Sequence, residues 1–348
     1  MALSRGAFLM LLLGISCRQR AGADSAWSYT GPQGEDHWAS SYPYCGDVQQ
    51  SPIDFHSGIF TYSPALEPIQ LMGYNLSATQ KLSLTNDGHA VKVSLPPTMH
   101  IISMSHRYTA VQLHLHWGSE TDPVGSEHTI SGRHYPSEMH IVHYNSEKYE
   151  NASVAQDKVD GLAVLGILIQ IGPFNAAYNH IFQHLKEIQH KDEEILIPGF
   201  NINDLLPRQL YEYFRYNGSL TTPPCYPSVQ WTVFREPVQI SSEQLLELES
   251  DLYFSNTTEK NQMGMVNNYR HVQELGEREV LISFPEAVNA GHTLTPGGVL
   301  IIALCCVLCI VSAFSLTVFF LKKRARKTTE TRGVIYTAAS AEDGPSEA

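Results

Sequence analysis

The feature that most constrains this chain is an uncharged run of 24 residues, Gly298 to Leu321, close to its C-terminus. At about 1.5 Å per residue a helix of that length reaches about 36 Å, enough to cross a ~30 Å hydrocarbon core with some tilt. Lys322, Lys323, Arg324, Arg326 and Lys327 follow at once, whereas no Lys or Arg lies between Arg278 and the run. The positive-inside rule places that basic flank in the cytoplasm and the large N-terminal part outside. At the other end Arg5 precedes an apolar stretch, Ala7 to Ile15, and an A-x-A pattern at Ala21 and Ala23. That stretch is too short to span a bilayer and reads as a cleaved signal peptide. The expected organisation is a signal peptide (1–23), an extracellular domain (24–285), a stalk (286–297), one transmembrane helix (298–321) and a cytoplasmic tail (322–348). Such a chain is a single-pass type I protein of the plasma membrane.

The part outside carries 14 Lys and Arg against 31 Asp and Glu, a net charge near −17 with neutral histidines. This argues against a nucleic-acid partner and against adhesion to anionic lipid. Of six cysteines, Cys17 leaves with the signal peptide and Cys305, Cys306 and Cys309 lie in the apolar run. Cys45 and Cys225 remain, and an oxidising compartment allows them a single bridge. N-x-S/T sequons begin at Asn75, Asn151, Asn217 and Asn256, each a candidate glycan acceptor on a secreted surface.

Between Trp27 and Pro285 there is no low-complexity linker and no repeat. Short alternating runs predict strands over Ala90–Leu95, Thr109–Trp117, Glu138–Tyr144, Leu162–Ile171, Val229–Phe234 and Val280–Phe284. Turn signals such as Asp87-Gly88 and Pro223-Pro224 separate them. Tyr178, Ile181, Phe182, Leu185 and Ile188 recur at helical spacing, and Ser241 followed by Gln244 resembles a capping box ahead of Leu245, Leu246, Leu248 and Leu252. The fold class is α+β, mainly β: a large, twisted, mostly antiparallel central sheet with peripheral helices, plus the transmembrane helix.

The chemistry concentrates in Gln112-Leu113-His114-Leu115-His116-Trp117. On a strand, residues two apart share a face, so Gln112, His114 and His116 point one way and the two leucines the other. A second alternating run, Glu138-Met139-His140-Ile141-Val142, can return antiparallel and bring His140 beside the pair. Parity puts Glu138 on the same face as His140 and turns His143 away. Three neutral imidazoles with an open fourth position suit a catalytic zinc ion. Gln112 and Glu138 are the outer partners that orient such imidazoles. A histidine pair of this kind also occurs in exposed strands that bind no metal, and sixteen histidines are present.

The segments QLHLHWG (112–118), GSEHT (125–129), EMHIVHYN (138–145) and GSLTTPPC (218–225) resemble those of the α-class carbonic anhydrases. So do GPQGEDHW (31–38), QSPID (50–54), NDGHAV (86–91), GLAVLGI (161–167) and VNNYR (266–270), in the same order along the outer domain. With its signal peptide, single span and two cysteines the chain is similar to the membrane-anchored members. The resemblance implies reversible hydration of carbon dioxide to bicarbonate and a proton, by zinc-bound hydroxide attack and histidine-mediated proton transfer. It implies His114, His116 and His140 as Zn2+ ligands, oriented by Gln112, Glu138 and the backbone carbonyl of Asn268. Thr221 would accept a hydrogen bond from the zinc hydroxide and donate one to Glu127. Thr222 would line the bicarbonate site, and Val142, Val164, Leu220, Val229 and Trp231 the apolar wall for carbon dioxide. His89 would carry the proton out, with Tyr29, Asn86 and Asp87 ordering its water path. The family's commoner residue at 87 is Asn, and a carboxylate there is expected to raise the pKa of His89. Asn217 is the weakest sequon, because Gly218 to Thr221 would fold against the site.

Two other function classes fit less well. A pure binding module, as in family relatives that have lost ligands, conflicts with three intact histidines, Thr221 and Glu127. A zinc esterase conflicts with a wall that favours a very small substrate. A homodimer or a bicarbonate transporter is a partner that no residue pattern here specifies.

Overall fold

A computed structural model of the chain describes residues 27–285, Leu308 and residues 311–324. The chain divides after Glu286 into two compact units. In the second, Leu308 and residues 311–324 are helical. Among the described residues no helix is long and apolar enough to cross a membrane. The signal peptide, the stalk, nearly all of the cytoplasmic tail and the first ten residues of the expected span lie outside the described residues.

The first unit is built on one large sheet. Ten of its strands form a continuous path: β1 (Phe60–Tyr62), β2 (Lys81–Asn86), β3 (Val91–Ser94), β4 (Tyr108–Trp117), β5 (Ser137–Asn145), β6 (Leu162–Ile171), β7 (Glu194–Pro198), β8 (Tyr213–Gly218), β9 (Val229–Phe234) and β10 (Val280–Ile282). Their spatial order is β7-β2-β3-β4-β5-β6-β9-β8-β10-β1. All neighbours along it are antiparallel except β6–β9 and β10–β1. The antiparallel character matches the alternation in the sequence, while the central parallel pair is a finding of the structure. A parallel neighbour requires a crossover rather than a hairpin, and the segment between β6 and β9 supplies it, with β7 and β8 placed elsewhere in the sheet.

The two faces of the sheet carry different loads. Leu113, Leu115, Met139, Ile141, Ala163, Leu165 and Ile167 point to a large core beneath the helices Ala176–Phe182 and Ser242–Ser250. The other face presents the three histidines and, beside them, a second apolar cluster containing Val164, Val229 and Trp231. The capping box is formed: Ser241 accepts from the Gln244 amide and the Gln244 side chain accepts from the Ser241 amide. Gln244 also bonds both backbone groups of Asn175, so one side chain ties two helix N-termini together. The helical run from Tyr178 is shorter than the sequence spacing predicts. It stops at Phe182 and resumes as a 3-10 turn at Leu185–Glu187, which still buries Leu185.

His143 tests the parity argument. It faces the large core, where Tyr74 bonds its Nε2 at 2.5 Å and the carbonyl of Ala163 lies 3.3 Å from Nδ1. Burial pushes its pKa from 6.5 down to about 4. The unfolded chain therefore takes up a proton near pH 6.5 that the folded protein refuses until about pH 4. Stability conferred by this site is present above pH 6.5 and is lost as pH falls through that window, by on the order of 3 kcal/mol. In urea unfolding across that range, His143→Gln is expected to flatten the slope by about this amount, and an unchanged slope would refute the assignment.

Candidate metal centre

β4 and β5 pair so that His114 lies directly opposite His140, and His116 opposite Glu138. A β-bulge between Ala110 and Gln112 precedes the site. From Gln112 onward the strand alternates without interruption, which keeps both histidines on one face. The three ring centroids stand 4.7–5.2 Å apart. One ligand-type nitrogen from each ring lies within 4.8 Å of the others.

Hydrogen bonding fixes which nitrogen of each ring is bare. Nδ1 of His114 faces Gln112 Oε1 at 2.9 Å, Nδ1 of His116 faces the carbonyl of Asn268 at 2.7 Å, and Nε2 of His140 faces Glu138 Oε1 at 2.7 Å. Each partner is an acceptor, so each ring donates its one proton outward and turns a lone pair inward. His116 Nε2 and His140 Nδ1 then meet 3.1 Å apart. Two bare lone pairs at that separation repel, whereas two ligands on one tetrahedral ion at about 2.0–2.1 Å stand roughly 3.3 Å apart. Glu127 sharpens the point. Its Oε1 accepts from the Arg270 amide, while Oε2 is sealed from solvent with no hydrogen-bond partner. That oxygen lies 3.5 Å from His116 Nε2 and 3.8 Å from His140 Nδ1. Three lone pairs and a carboxylate oxygen converging in a buried space fit a divalent cation.

Burial lowers the pKa of His114 well below its ordinary value, with help from the neighbouring imidazoles, and lowers that of His116 as well. Both rings therefore stay neutral, as ligands must. Burial pushes the Glu138 carboxyl up, but its interactions with His128 and His140, hydrogen bonds from both among them, outweigh it and hold it well below the usual carboxylate range.

The other expected residues fall into groups. Val142, Val164 and Trp231 are cross-strand neighbours on β5, β6 and β9, with Val229 opposite Leu162. Leu220 packs on the same cluster, and the Trp231 ring stands 4.7 Å from that of His140. Thr221 is buried and Thr222 half-buried, on a loop closed by the Cys225 amide donating to Thr222 O. Thr221 and Glu127 share no hydrogen bond in this structure, since Glu127 Oε2 has no partner.

His89 is half-buried and stacks on Trp27, with ring centroids 3.8 Å apart. It lines a cavity of about 230 Å³ with Tyr29, Trp27 and Lys191. The expected rise in its pKa is reversed. Asp87 does act upward, but burial outweighs it and Lys191 and Lys92 add to the lowering. The Asp87 carboxylate is engaged otherwise, accepting from the amides of His89 and Ala90 and from Lys92 Nζ. Asn86 is fully buried. Its amide donates to the carbonyls of Gln189 and Tyr253, and its oxygen accepts from Gly88, so it holds the turn that carries His89. Tyr29 is buried among Trp27, Trp38 and Phe254.

The family model of eukaryotic-type carbonic anhydrases matches residues 33–284. The chain belongs to the eukaryotic-type carbonic anhydrases. It is 49% identical over 317 residues to human carbonic anhydrase 12, covering 91% of this chain and 90% of that protein. Human carbonic anhydrase 6 is 38% identical over 78% of this chain and 86% of its own length. For human carbonic anhydrase 7 the identity is 38%, over 74% of this chain and 97% of that protein. Membership makes the chain a carbonate dehydratase, and the sheet around the three histidines is the carbonic anhydrase fold.

Within this carbonic anhydrase the sequence reading passed over two residues beside the site. His128 bonds Glu138 through both its amide and Nδ1, and its Nε2 meets Tyr216 Oη at 2.7 Å. Tyr216 continues to Ser51 Oγ at 2.8 Å. Arg270 donates from its side chain to Gln50 Oε1 and to the carbonyls of Ser51 and Cys45. Both lie inside motifs already noted, GSEHT and VNNYR, but partners so distant along the chain leave no periodic signal. The Cys45–Cys225 disulfide is formed. Of the sequon asparagines, Asn75, Asn151 and Asn217 are exposed and Asn256 is half-buried. The expected crowding at Asn217 falls instead on Ser219, whose hydroxyl is buried against Ser51 and Leu220.

Proposed function

We propose that this carbonic anhydrase works as a zinc enzyme on the outer face of the plasma membrane, with His114, His116 and His140 holding the metal. The observation that carries the reading is the set of three inward lone pairs beside the orphaned Glu127 oxygen. Zinc in that position supplies a Lewis acid that makes a bound water acidic near neutral pH, an established property of carbonic anhydrase zinc. The chain's own residues do the rest. Gln112, Glu138 and Asn268 O fix ring tautomer and direction, so no reorganisation is needed as charge develops. Val142, Val164, Leu220, Val229 and Trp231 give an apolar wall on which carbon dioxide displaces water at little cost. Thr221 and Thr222 edge the same space with hydroxyls for the more polar bicarbonate. His89, the half-buried base on the turn that Asn86 clamps, takes the proton outward past Tyr29 and Trp27.

The test is stopped-flow hydration of carbon dioxide by the full chain in weak and strong buffer. Chelation should abolish the activity and zinc restore it. His89→Ala should lower turnover in weak buffer, by about 10²-fold or less, and recover in strong buffer. Metal-free protein that stays active would overturn the zinc reading, and an unchanged weak-buffer rate would remove His89 as the shuttle.

Topology rests on the uncharged run Gly298 to Leu321 with its basic flank, and on the disulfide. Protease added to intact expressing cells should release the unit containing the metal centre and spare an epitope placed after residue 348. A protected metal centre would reverse the orientation.

A further inference from the structure

Away from the metal centre a cavity of about 680 Å³ opens beside β8, lined by Val48, Arg215, Asn217, Gln230, Leu275 and Arg278 among others. Arg215 is in mid-strand, in register with Thr232 and Leu281, and only 9% exposed. A strand interior at that burial ordinarily takes an apolar or β-branched residue. Its Nε donates to Thr232 Oγ1 at 3.0 Å and Nη1 reaches Gln230 Oε1 at 3.5 Å, both neutral acceptors. No protein group accepts from Nη2, which is not sealed from solvent either. Among the described residues no carboxylate pairs with this guanidinium or with that of Arg278. Arg278 donates to the carbonyls of Leu275, Asn217 and Glu274 and covers the ring of Tyr216. Glu277 and Glu279 also line the cavity, but both are exposed to water and form no ion pair with either arginine.

Beyond these bonds Arg215 has the ring of Tyr213 beneath it, 5.2 Å from the centroid, but no counter-charge; a cation so buried is costly, and an anion supplied from outside relieves it. The planar guanidinium fork matches a carboxylate better than a point charge would. The cavity is far larger than a bare inorganic anion requires, and Val48, Leu275 and Leu281 give it an apolar wall. We propose that this cavity binds a small organic anion, its carboxylate on Arg215 and its apolar body against Val48, Leu275 and Leu281.

The experiment is equilibrium dialysis of labelled benzoate against the zinc-loaded full chain in detergent, with acetate and phosphate as competitors. The wild type should bind one benzoate that Arg215→Gln loses at least tenfold in affinity, while hydration of carbon dioxide by the variant stays unchanged and reports its folding. Acetate and phosphate, both lacking the apolar body, should each compete less well than unlabelled benzoate. Should Arg215→Gln fail to fold, Leu275→Trp fills the wall, keeps the guanidinium and should block the same binding. Equal binding by the folded variant, loss of all binding on chelation of the metal, or phosphate outcompeting benzoate would each overturn the proposal.

Discussion

His116→Ala is expected to strip this enzyme of both metal and activity. His116 is 1% exposed, lends its Nε2 to the cluster, and has its Nδ1 fixed by a carbonyl 152 residues downstream. Alanine removes one of three imidazoles and leaves Glu127 Oε2 and His140 Nδ1 facing a cavity. Two ligands are too few for a stable site in which the fourth position must stay open. The effect should exceed the roughly 10–100-fold in metal affinity or activity that loss of an orienting partner costs. Zinc content by elemental analysis and stopped-flow hydration measure the two losses separately. A variant that keeps one zinc per chain and the wild-type rate would remove His116 from the centre.

Removing the disulfide is the second large effect. Cys45 and Cys225 are 180 residues apart in sequence, so the bridge closes a loop that spans more than half of the first unit. The loop-entropy account, itself disputed, and measured losses in small domains bracket the cost at about 2–5 kcal/mol. Packing adds to it here. The carbonyl of Cys45 accepts from Arg270 Nη2 and that of Cys225 from Gln50 Nε2, and the two cysteines pack with Tyr29 and Trp38. Cys45→Ala combined with Cys225→Ala should therefore shift the urea midpoint sharply downward. A double variant that unfolds at the wild-type midpoint would show that the packing alone holds the segments together. Because Cys225 follows the loop bearing Thr221 and Thr222, a fall in turnover should accompany the fall in stability.

The site was legible in the sequence wherever chemistry coincided with strand alternation. Parity alone grouped Gln112, His114 and His116, joined Glu138 to His140, and turned His143 to the opposite face, where it meets Tyr74. The motif resemblance supplied Asn268, because a carbonyl so far along the chain has no periodic trace. The central sheet was legible from its long strands, whereas the edge strands Phe60–Tyr62 and Glu194–Pro198 were not. They are short, and Glu-Ile-Leu-Ile-Pro lacks alternation. The electrostatics of His89 were misread for a different reason. Sequence shows that Asp87 is close, but burial, the stronger influence, appears only once the turn is packed beneath Trp27.

Asn268 has a consequence for how this enzyme is made. Its carbonyl orients His116, its side-chain oxygen accepts from the Trp117 amide, and its amide donates to the carbonyls of His89 and Leu115. His114, His116 and His140 all leave the ribosome well over a hundred residues before Asn268 does. Until then the His116 ring has no partner to choose its tautomer, and the turn bearing His89 is not tied to the ligand strand. On the zinc reading proposed above, metal capture would be a late event in biogenesis, set by arrival of the segment bearing Asn268 rather than by synthesis of the three histidines.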